Sequence, residues 1–127
     1  MNELTHLTAR EQAALIRERK ISAVELLEAT LAQVEKVDGR RGAIGTEETA
    51  EDRKKVHAFI LTTESEAREK AADVDRRIAA GEKVGALAGV PYSAKDVFCT
   101  KGIQTTAAAK ILSGWKPPYN AEVIERM

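Results

Sequence analysis

The sequence contains a single cysteine, Cys99, and only two histidines, His6 and His57, among its 127 residues. One cysteine cannot make a disulfide framework, and no cluster of cysteine and histidine has metal-ligand spacing. Charge of one sign is also missing. Twenty basic residues balance twenty acidic ones, which removes any global electrostatic case for nucleic acid or an anionic membrane as a direct partner. No apolar run approaches the ~20 residues of a membrane span, and the opening "MNELTHLTAR" has no apolar stretch of the kind a secretory leader needs. A reducing, cytoplasmic setting and no membrane association are expected. The glycines are scattered without phosphate-loop spacing, so no nucleotide site is readable, and there are no internal repeats.

What is present is a globular composition, 43% apolar and 31% charged, on a chain long enough to bury a core. Helix signals dominate the first half. Thr8 with Glu11, Ser22 with Glu25 and Thr63 with Glu66 each have capping-box spacing. Ile21 and Leu26 stand at hydrophobic-staple positions, and Leu27, Leu31 and Val34 continue a helical stripe that Gly39 ends. Residues 4–38 are thus predicted as a helical hairpin. Residues 39–55, "GRRGAIGTEETAEDRKK", combine low hydrophobicity, three glycines and dense mixed charge, the composition of a mobile insertion.

Beyond it, "VHAFILTT" is β-branched and aromatic enough for a strand. Ala67, Ala71, Val74 and Ile78 recur at helical spacing, and "LAGVPYSAK" supplies a second strand. Strand, helix, strand is the order of a crossover in a parallel sheet. The expected fold class is therefore α/β: an N-terminal helical hairpin, then, over 56–127, the first strands and helices of a mixed, largely parallel sheet sandwiched by helices. Asn120 can cap a final helix over "AEVIERM". A two-turn helix with an apolar side and a one- or two-stranded sheet are marginal by themselves, so a longer parent chain is expected.

Lys95 directly follows an apolar segment. If residues 90–95 form a strand, Pro91, Ser93 and Lys95 share one face. A lysine at the end of a buried strand is costly unless paired or neutral, and a neutral lysine can accept a proton. An ion pair with Asp96 at a sheet edge is the plainer alternative. A Ser93–Lys95 dyad is disfavoured, because same-face neighbours on a strand are roughly 7 Å apart at the backbone. His6, His57 and Cys99 read as structural or surface residues.

"LAGVPYSAKD" followed by "CTKGIQTTAAAKILSGWKPPYNAEVIERM" resembles the amidase signature family, and within it the glutamine-hydrolysing subunits of tRNA-dependent amidotransferases. The likeness runs from about Leu4 to the end, the 39–55 insertion excepted. It implies an amidase fold, with residues 1–127 as the N-terminal part of a single amidase domain. It also implies that Lys95 is the general base of a Ser-Ser-Lys triad, with Asp96 positioning the lysine or a neighbouring loop. Both serines belong to a glycine- and serine-rich segment that this chain does not contain, so the chain by itself is expected to be inactive. The implied partners are B and C subunits. Glutamine is the implied substrate, misacylated tRNA is handled mainly by the B subunit, and ATP and Mg2+ are also expected there, with no cofactor on this chain. Two other readings stay open: part of an amidase for another carboxamide, and a non-catalytic interaction module.

Overall fold

A computed structural model describes residues 3–39 and 49–127. They fall into two compact units, Met1–Pro91 and Tyr92–Met127.

The first unit is built on three helices: α1 (Ala9–Arg17), α2 (Ala23–Asp38) and α3 (Glu64–Ala79). The Thr8 box forms in full, since Thr8 Oγ1 accepts the Glu11 N–H at 3.3 Å and the Glu11 carboxylate accepts the Thr8 N–H at 2.8 Å. At α2 only the Ser22 arm forms, Ser22 Oγ accepting the Glu25 N–H at 2.9 Å. The other free amides at that end are taken from a distance. Asp75 of α3 accepts the Ala23 N–H at 2.7 Å and the Val24 N–H at 3.2 Å, so α3 caps α2 across some fifty residues of chain. At α3, Thr63 occupies the capping position without making the bond its spacing predicts. Its φ of −108° and ψ of 61° lie outside the extended conformation of an N-cap.

Ile16, Ala23, Leu26, Leu27 and Ala71 form the buried centre. Ile21, Leu31, Ala67, Val74 and Ile78 pack around it, so the predicted stripes face inward. Arg17 of α1 donates to the Ala86 carbonyl in the segment after α3 at 2.7 Å, and Arg19, just past α1, to the Ile78 carbonyl within α3 at 2.6 Å. Because Asp75 satisfies two amides that have no intrahelical acceptor, Asp75→Ala is expected to cost about 1–3 kcal/mol of stability. Asp75→Asn, which keeps an acceptor oxygen, should lose less; urea denaturation of both variants measures the difference.

The expected α/β class is corrected here. Among the described residues there are helices, 3-10 turns and irregular backbone, and no strand or sheet. Strand hydrogen bonding needs a neighbouring strand, and the amides of "VHAF" are used elsewhere. The Val56 and His57 N–H groups donate to the carbonyls of Val37 and Asp38, and those of Ala58 and Phe59 to the Asp38 carboxylate, at 2.6 Å and 3.2 Å. This segment caps the end of α2, and Asp38 is buried in doing so. The second predicted strand begins as turns: the Ala88 N–H donates to Gly85 O and the Val90 N–H to Leu87 O, and Pro91 has no N–H to donate. Val56 and Leu87 remain 67% and 50% exposed, without the second layer that a buried strand requires.

Of the predicted insertion, residues 40–48 lie outside the described residues. Gly39 instead ends α2, and 49–55 is a turn with a short 3-10 helix, Asp52–Lys54, in which Asp52 accepts from the Thr49 N–H and hydroxyl at 2.8 Å and 2.7 Å. Lys55 Nζ donates to the Lys36 carbonyl at 2.6 Å. No helix among the described residues is long and apolar enough to cross a membrane.

The second unit is mostly irregular. Its two stretches run in antiparallel sense: the Ala121 N–H donates to Cys99 O, Gly102 to Pro117 O and Thr105 to Trp115 O, at 2.8–3.1 Å. The last helix, α4 (Glu122–Arg126), begins one residue later than predicted, with Ala121 at the cap. The Asn120 side chain is engaged elsewhere, accepting the Lys101 N–H at 2.6 Å and donating to Glu125 at 2.8 Å.

Candidate functional site

Lys95 lies in the second unit at the head of a tight turn. Its carbonyl accepts the N–H groups of Val97 and Phe98 at 2.7 Å and 3.0 Å. Residues 92–95 are exposed and not a strand, so the burial expected for Lys95 and its shared face with Ser93 are not found. The ammonium has no hydrogen-bond or ion-pair partner among the described residues. The ion pair with Asp96 is therefore absent too.

Asp96 faces residues 106–108 instead. Its carboxylate accepts from the Thr106 N–H at 2.8 Å, from the Thr106 hydroxyl and from the Ala108 N–H at 3.4 Å, while its carbonyl takes the Ala107 N–H at 2.7 Å. Burial opposes the charge on Asp96, but the Thr106 hydroxyl and the amides of Thr106 and Ala108 outweigh it and hold the carboxyl below its usual range. Ala107 and Ala108 both adopt left-handed backbone, at φ 48° and 59°, a conformation alanine avoids.

A group whose folded pKa is depressed lends stability that is complete above its unfolded pKa, about 3.9 for aspartate, and lost as pH falls through the lower folded value. Asp96→Asn should therefore show a shallower loss of stability than the wild type on acidification below about pH 4, read as urea midpoints across that range.

His57 and Cys99 each make a hydrogen bond of their own. His57 Nε2 donates to the Asp52 carbonyl at 2.7 Å, within the cap of α2, and His6, exposed, ends a 3-10 turn. The Cys99 thiol donates to the Tyr119 hydroxyl at 3.9 Å, a contact that raises the Tyr119 pKa. Among the described residues no group of three or more His, Cys, Asp or Glu could hold a metal ion. Reasoning from sequence missed Thr106. The one signal for it was the threonine pair in "TTAAAK", ten residues after Asp96.

The description "Amidase" fits a family model matching residues 46–127, which includes Lys95, Asp96 and Thr106. The chain belongs to the amidase family. Across its whole length it is 46% identical to the A subunit of glutamyl-tRNA(Gln) amidotransferase from Thermobifida fusca, and over 99% of its length it is 43% identical to the corresponding protein of Cutibacterium acnes. The chain spans 22% of the length of each of these relatives. It is also similar to a solved structure described as the inhibitor-bound form of a vestigial protein complex that reveals the evolutionary origins of an s-triazine catabolic enzyme. The TM-score is 0.79 and the identity 28%, over 94% of this chain and 23% of that one.

Proposed function

We propose that this chain is part of a glutamine-hydrolysing amidotransferase subunit in which Lys95 is the proton acceptor of a Ser-Ser-Lys triad. The supporting observation is the whole-chain similarity, 43–46%, to subunits named for glutamyl-tRNA(Gln) amidotransferase. The solved neighbour is 28% identical, so an amidase for another carboxamide is the weaker reading. A free-standing interaction module is weaker still, since the family match covers the segment that carries Lys95.

In this reading a neutral Lys95 takes the proton of a bridging serine. That serine takes the proton of the nucleophilic serine, which attacks the glutamine carboxamide. An acyl-enzyme and ammonia form, and water then releases glutamate. The ammonia serves amidation of misacylated tRNA, Glu-tRNA(Gln) or Asp-tRNA(Asn), on a B subunit that binds ATP and Mg2+, with a C subunit bracing the assembly in the cytoplasm. The Lys95 side chain is exposed and has no partner among the described residues, which suits a group completed by residues outside this chain.

The test is ammonia release from glutamine by the 127-residue chain and by the full-length protein. Turnover by the full-length protein alone is expected. Turnover by the short chain would overturn the proposed division of the triad.

A further inference from the structure

We propose that Thr106 is a positioning residue for Lys95, acting through Asp96, so that the turn at residues 106–108 aims the lysine. This rests on the reading of Lys95 as proton acceptor.

The carrying observation is the strained pair Ala107 and Ala108, two successive non-glycine residues at φ 48° and 59°. Such backbone persists only where its surroundings over-determine it, and it gathers at working sites. Here the surroundings are Asp96. The Ala107 N–H reaches the Asp96 carbonyl and the Ala108 N–H its carboxylate, while Thr106 adds an amide and a hydroxyl. Asp96 is thus gripped by both side chain and main chain.

The peptide on its N-terminal side belongs to Lys95, whose own carbonyl is held by the Val97 and Phe98 amides. The lysine therefore leaves a fixed backbone on a side chain that has no partner among the described residues. A displacement of about 1 Å in a reacting group costs roughly 100-fold in rate, so fixing the origin of a four-carbon stem matters to a proton acceptor. Both Asp96 oxygens are engaged by residues 106–108, and Asp96 acts on Lys95 through the backbone instead of through an ion pair.

In the full-length protein, Thr106→Val is expected to lower kcat for ammonia release by about 100-fold, with KM for glutamine nearly unchanged, and Thr106→Ser to restore most of it. The paired change Ala107→Gly with Ala108→Gly relaxes the turn without removing a donor. It should lower kcat several-fold with no fall in Tm, a result that a purely structural role would not give. If Thr106→Val does not fold, the glycine pair carries the test. Unchanged kcat in the glycine pair, or in folded Thr106→Val, would overturn the positioning role. Lys95→Ala is run beside them. Retained activity there defeats the reading of Lys95 itself, whereas an inactive Lys95→Ala with unaffected Thr106 and glycine variants defeats only the positioning role.

Discussion

Lys95→Ala in the full-length protein is expected, on the proposed role of Lys95 as proton acceptor, to lower kcat for glutamine hydrolysis by about 1,000-fold or more, the order of effect that follows loss of a proton-transfer group in a nucleophilic triad. Lys95→Arg should be equally deficient, because a guanidinium stays protonated and cannot accept the serine proton. The pair of variants separates two roles. If only a fixed positive charge were needed, Arg would keep most of the activity. Folding should be indifferent to either change. Lys95 is exposed and without a partner among the described residues, and surface substitutions of that kind usually alter stability by within about 0.5 kcal/mol. Kinetics of ammonia release and urea midpoints, measured on the same preparations, check both halves.

The second large effect is on stability. Gly89 sits at φ 85°, and a Cβ there would lie 2.8 Å from the Ala23 Cβ and 3.0 Å from Ile16 Cδ1. Both neighbours are 0–1% exposed and belong to the helical core. Gly89→Ala therefore combines about 1–2 kcal/mol of left-handed backbone strain with about 1–3 kcal/mol of overpacking. A loss of roughly 3 kcal/mol is expected. Gly114 is the control, since its φ is a similar 82° but a Cβ there would meet nothing within 4 Å. Gly114→Ala should cost only the backbone part. Equal losses at the two glycines, in urea denaturation, would show that the contact with Ala23 and Ile16 yields easily.

The helices were legible in the sequence because their determinants are local. Thr8 with Glu11 and Ser22 with Glu25 act within one turn, and the stripes through Leu27 and Ala71 need only helical periodicity. The strands were not, because a strand is a statement about a partner. "VHAFILTT" has the composition of one, yet its first amides are taken by Val37 and Asp38, an acid some twenty residues earlier that carries no pattern announcing this role. Asp75 is similar: its bonds to Ala23 and Val24 cross from one helix to another. At the site, Lys95 and Asp96 stand out through their family resemblance. The binding of Asp96 to residues 106–108 comes with left-handed backbone at two alanines, which residue type argues against.

The cap on α2 has a consequence for the stretch that follows the helix. A Cβ on Gly39 would lie 2.8 Å from the Lys55 Cβ, and the Val56 N–H already donates to Val37 O. Gly39 and Lys55 therefore lie against one another where the end of α2 is capped, and the described chain is pinned at that point. Gly39 itself has no room for a side chain, so even a methyl group there would press on Lys55 at the end of α2.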